Sequence, residues 1–79
     1  MNPDLQAAVR AYATALAGPL LDRPETLEVY VSETEVAISA PRSGALIGAA
    51  GANAAAIRRL VVAFVRCRQY RGAVSVRVG

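Results

Sequence analysis

Histidine, lysine and tryptophan are missing from this 79-residue chain, and cysteine occurs once, as Cys67. A lone cysteine excludes an intrachain disulfide. A zinc site would need one thiolate and carboxylates, against the usual Cys and His donor sets. Without histidine the commonest general base is gone, and with it every Ser/His or Cys/His nucleophile pair. The expectation is a protein that is not an enzyme, with no catalytic residues, no metal and no cofactor. No apolar run reaches the roughly 18 residues of a membrane span. The start, Met1-Asn2-Pro3-Asp4, lacks the charged-then-apolar order of a signal peptide. A cytoplasmic protein without a membrane partner is therefore expected.

Hydrophobic residues make up 54% of the chain and charged residues 19%, which predicts a packed core rather than a disordered tail. The length suits a single domain over residues 1–79, near the lower limit for a core without staples. The net charge of +3 is unevenly spread. Residues 1–40 carry all six acids and two arginines, whereas residues 41–79 carry seven arginines and no acid. Either a polyanion docks on the second half, or acidic and basic elements face each other within the fold. All nine cations are arginine and 17 residues are alanine, a bias that suits a GC-rich genome. The arginine count alone therefore says little about RNA.

Asn2 and Pro3 read as the N-cap and first residue of a helix, with Leu5, Val9, Tyr12 and Leu16 as its apolar stripe. Gly18-Pro19 should stop or kink it. Leu27, Val29 and Val31 alternate with polar neighbours as a half-buried strand. A turn at Ser32-Glu33-Thr34 leads to a second strand through Val36, Ile38 and Ala40, and the two should form a hairpin. A short helix is expected from about Ser43 to Ile47. Asn53 reads as the N-cap of a long helix whose core stripe is Ile57, Leu60, Val61 and Phe64. Gly72 fits a position just past its end, with Arg66, Arg68 and Arg71 near the negative pole of the dipole. Val74, Val76 and Val78 form a last strand. The order is α-β-β-α-α-β, an α+β fold with a three-stranded mixed sheet and helices packed on one face.

The two central helices are joined through Gly44-Ala45-Leu46-Ile47-Gly48-Ala49-Ala50-Gly51. Glycines at both ends of a four-residue loop let the backbone turn sharply and approach a ligand closely. Small side chains leave the amides free to face a phosphate, beside the positive end of the next helix. A bare GxxG is weak evidence, since a tightly packed helix–turn–helix has the same pattern. The element order around it and the apolar Ile47 before the first glycine give it weight.

In that combination the chain resembles the K-homology (KH) domain in its type II order, and more closely the small single-KH bacterial proteins of the KhpA/YlqC type. Leu20-Leu21-Asp22-Arg23-Pro24-Glu25, Ala40-Pro41 and the glycine segment 44–51 carry the likeness, with Ala54, Ile57, Arg58 and Leu60 on the following helix. It covers nearly the whole chain. The resemblance implies non-catalytic binding of single-stranded RNA, of the RNA-chaperone kind, with the GxxG loop clamping about four nucleotides. The implied RNA-binding residues are Ile47, Gly48, Ala49, Ala50 and Gly51, with Arg42 and Arg58 supplying charge and the second strand helping to wall the bases. It also implies dimerisation, as a homodimer or as a heterodimer with a second KH-containing protein.

Ala45, Ala49, Ala52 and Ala55 stand where family members usually carry Lys or Arg. Main-chain contacts survive this change, but the charge-based share of affinity falls. The alternative is a KH-like protein-interaction or dimerisation module whose RNA binding is weak or lost.

Overall fold

The computed structural model describes residues 1–42 and 44–79. Helix α1 spans Pro3–Ala17 and opens as its sequence predicts: the Asn2 side chain accepts from the Leu5 N–H at 2.7 Å, and Pro3 lies in the first turn. Leu5, Val9, Ala13 and Ala17 are buried. Tyr12 and Leu16 flank that line and are partly buried. Gly18 caps the helix, and Gly18–Leu20 adds a 3-10 turn, as a Gly-Pro step favours. A second 3-10 turn, Pro24–Thr26, leads into the sheet.

Strands β1 (Glu28–Val31) and β2 (Glu35–Ser39) form the expected antiparallel hairpin, pairing Val31 with Val36 and Glu28 with Ser39. Ser32 closes the turn: its N–H donates to the Glu35 carbonyl at 2.8 Å, and its hydroxyl accepts from the Glu35 N–H at 3.0 Å. Strand β3 (Ser75–Val78) lies parallel to β2, with Val36 opposite Val76 and Ile38 opposite Val78. The order β1-β2-β3 thus combines one antiparallel and one parallel pairing. Parallel neighbours need a long crossover, supplied here by α2 (Gly44–Ile47) and α3 (Ala52–Cys67). The expected start of α2 near Ser43 lies outside the described residues.

Val31, Val36 and Ile38 face the helices and are buried with Val9, Leu46, Ile57, Val61 and Val65. Helix α1 packs on β1 and α3 on β3, so one face of the sheet is covered. The Arg10 guanidinium donates to the Val29 carbonyl and occupies part of the β1 edge.

Two expectations for α3 need correction. Its buried stripe is Ala54, Ile57, Val61 and Val65, while Leu60 is 44% exposed and Phe64 is partly buried. Spacing alone could not orient the stripe. The small Ala54, which a stripe of large apolar residues leaves out, is buried, and Leu60 lies off the buried face. Phe64 instead stacks on Tyr12, with centroids 4.4 Å apart and planes 10° from parallel, and Arg68 lies 5.5 Å above it.

The helix also ends differently. The left-handed residue after Cys67 is Gln69, at φ 65°, not Gly72. Gly72 is small for another reason: the Tyr70 ring lies across it, so a β-carbon there would fall 2.2 Å from the hydroxyl. That hydroxyl donates to the Glu33 carbonyl at 3.0 Å and ties the segment after α3 to the hairpin turn.

Among the described residues the one ion pair is Glu35–Arg77 at 3.5 Å, between exposed side chains. The acidic and basic halves are not otherwise zipped together by side-chain ion pairs. No helix among the described residues is long and apolar enough to cross a membrane.

Candidate functional site

The loop after α2 has an unusual backbone. Gly48 adopts φ 73°, ψ 177°, Ala50 φ 55°, ψ 25°, and Gly51 φ 78°, ψ 15°. The Gly48 conformation belongs to glycine. Ala50 is an alanine in the left-handed region, at a cost of roughly 1–2 kcal/mol. Three positive-φ residues within four positions reverse the chain in one tight step.

The loop amides divide into two sets. The Gly48 N–H donates to the Gly44 carbonyl at 2.8 Å, the Gly51 N–H to the Gly48 carbonyl at 3.2 Å, and the Ala52 N–H to the Ala49 carbonyl. These donors are spent on the protein. The Ala49 and Ala50 N–H groups begin the 3-10 turn Ala49–Gly51, where no turn carbonyl reaches them. Among the described residues they have no backbone acceptor. Both residues are exposed, and their methyl groups put little bulk around the donors.

Asn53 was expected to cap α3. Gly51 holds that position instead, and Asn53 sits inside the first turn. Its Nδ2 donates to the Ala45 carbonyl at 2.8 Å, fastening α3 to α2 across the loop. The carboxamide lies directly over Gly48. An N-cap residue type near a helix start was the available signal, but it could not reveal that the side chain turns backward.

Leu46 is fully buried and anchors α2, and its neighbour Ile47 is 38% exposed. The Ile47 side chain reaches the end of the sheet beside Gly79, whose N–H donates to the Ile38 carbonyl at 2.9 Å. Ile47, Ala49 and Ala50 are thus exposed, and Gly48 and Gly51 among them are half-buried. The second strand is the middle of the sheet, and its Val36 and Ile38 side chains point into the core. The strand next to Ile47 at the surface is β3, a neighbour that sequence order did not indicate.

Arg42 and Arg58 are both exposed, and among the described residues neither joins an ion pair or a side-chain hydrogen bond. Arg58 lies on α3 beyond Asn53. Arg42 precedes α2 and lines a cleft of about 560 Å³ with Leu20, Leu21, Asp22, Arg23 and Pro41. No group of three or more potential metal ligands occurs among the described residues. Two free amides on a low ridge, with unpaired guanidinium groups on the flanking segments, suit an extended anionic ligand better than a small neutral one.

Comparison with protein-family models, with curated proteins and with solved structures finds no match to this chain.

Proposed function

We propose that this protein is a KH domain of the type II order that binds single-stranded RNA without catalysis, as RNA chaperones do. The Ala49 and Ala50 N–H groups hold phosphate oxygens, Gly48 and Gly51 shape the turn that presents them, and Ile47 offers an apolar surface to a base. Arg42 and Arg58 add charge. The observation that carries this reading is that the N–H groups of Ala49 and Ala50, two exposed residues set between glycines at positive φ, have no acceptor among the described residues. The mixed sheet in the order β1-β2-β3, with its helix–GxxG–helix crossover, agrees with that fold.

The mechanism is backbone capture. Main-chain donors contact phosphates without reading sequence, while bases rest on apolar or aromatic surfaces. With no cation inside the loop, the salt-dependent share of the affinity comes from the flanking arginines: each phosphate they neutralise contributes roughly −0.7 to the salt slope.

The test is titration of a short mixed-sequence RNA against the protein and its Ala49→Asp/Ala50→Asp variant. Two carboxylates against the phosphates should abolish binding at about 100 mM salt. Unchanged affinity and salt slope in that variant would remove the site. Leu60, 44% exposed on α3, favours a second reading, a dimerisation or protein-interaction module with weak or lost RNA binding. In that case sedimentation shows a stable homodimer, or a heterodimer with a second KH protein, and the RNA titration shows nothing.

A further inference from the structure

The cleft lined by Arg42 is not part of the loop ridge. Its walls are the segment between α1 and β1, Pro41 and Arg42 after β2, and the first turn of α2. Its volume of about 560 Å³ falls within the range of small-ligand sites, about 300–1,000 Å³. Leu20, Leu21 and Pro41 give it an apolar surface, while Arg23, Arg42 and Asp22 give it charge of both signs.

We infer that this cleft receives a further nucleotide of the same RNA strand that the loop holds, an inference that rests on the RNA-binding reading. The chemistry matches a nucleotide part by part. Arg23 and Arg42 are forked donors suited to phosphate oxygens, and among the described residues neither is paired with an acid. Leu20, Leu21 and Pro41 offer an apolar contact to a base. The Asp22 carboxylate accepts from an exocyclic amine or a ribose 2′-hydroxyl. Placement matches as well: Gly44 and Ala45, at the start of α2, wall the cleft, and Gly48 follows about one helical turn, roughly 5–6 Å, further along the chain. The cleft is also braced: the Thr26 N–H and hydroxyl donate to the Arg23 carbonyl at 3.0 and 2.7 Å. Arg23 thus starts from a fixed backbone.

The experiment compares RNAs of about four and about eight nucleotides, the shorter matching the length a GxxG groove holds. They are titrated against the full chain and its Arg23→Glu variant, with methyl NMR of Leu20 and Leu21 alongside. The longer RNA should bind the unaltered protein more tightly. Arg23→Glu should remove about tenfold of that gain, as loss of a charge-assisted phosphate contact does, and leave the shorter RNA within about twofold. The Leu20 and Leu21 methyl signals should shift with the longer RNA and not with the shorter. The inference falls if the variant keeps the full gain from length, if both RNAs weaken equally, or if those methyls respond only to a nucleoside monophosphate. In each of these cases binding of the shorter RNA still supports the loop. Failure of the unaltered protein to bind either RNA overturns both readings.

Discussion

The Asn53 carboxamide fills the space that a side chain at position 48 would need. A β-carbon built on Gly48 falls 2.8 Å from Asn53 Cγ and 2.9 Å from Nδ2, while that Nδ2 holds the Ala45 carbonyl. Loop conformation and helix–helix clasp are thus one arrangement. Gly48→Ala should destabilise the protein by about 2–3 kcal/mol through the overlap and the strain of φ 73°. Asn53→Ala alone should cost about 0.5–1.5 kcal/mol, the value of its hydrogen bond. Adding Gly48→Ala to Asn53→Ala should cost less than Gly48→Ala does in the native background, because the two closest atoms, Cγ and Nδ2, are gone and only the β-carbon of residue 53, at 3.0 Å, is left to crowd it. Urea unfolding of the four proteins measures that coupling.

Ala50 offers the opposite experiment. Ala50→Gly relieves a left-handed alanine at φ 55° and should raise stability by up to about 1 kcal/mol. Ala49→Gly, where φ is not positive, should lower it by about 0.5–1 kcal/mol. Thermal unfolding of the pair gives the sign. Equal shifts for both would mean that Ala50 is not left-handed.

The outward turn of Leu60 is measurable in the same way. Leu60→Ala should cost less than about 1 kcal/mol because the side chain is already half in water. Ile57→Ala, at a position 4% exposed, should cost about 2–5 kcal/mol. A large loss at Leu60 would restore the stripe expected from sequence.

These positions also mark where sequence reading stops. The elements were legible because each was stated locally: Asn2-Pro3 to open α1, Gly18-Pro19 to end it, and alternating valines for the strands. Orientation was not local. Whether Leu60 or Ala54 faces inward is decided by how α3 packs on the sheet and on α1, which no local pattern states. The same holds for the site. The Gly48-Ala49-Ala50-Gly51 pattern pointed to a turn, but which of its amides are spent on Gly44 and Gly48 follows from dihedral angles. The backward reach of Asn53 and the cleft beside Arg23 join segments far apart in sequence, so no short pattern announces either.

Gly72 and Tyr70 give a further check. Gly72→Ala must push the Tyr70 ring aside and break its bond to the Glu33 carbonyl, for an expected loss of about 1–3 kcal/mol. Tyr70→Phe removes only that bond and should cost about 0.5–1.5 kcal/mol. Circular dichroism melts distinguish them. If Gly72→Ala is neutral, the ring does not lie across the backbone.

Pairing of β3 with β2 has a temporal meaning for a chain made from its N-terminus. Until residues 75–78 leave the ribosome, β1 and β2 have the helices already made but no third strand, and a two-stranded ribbon has little stability of its own in water. The glycine turn emerges well before Gly79, the residue against which Ile47 rests. A nascent chain therefore carries the turn for some time before the surface beside it exists, and competence to grip a ligand arrives with the closing strand.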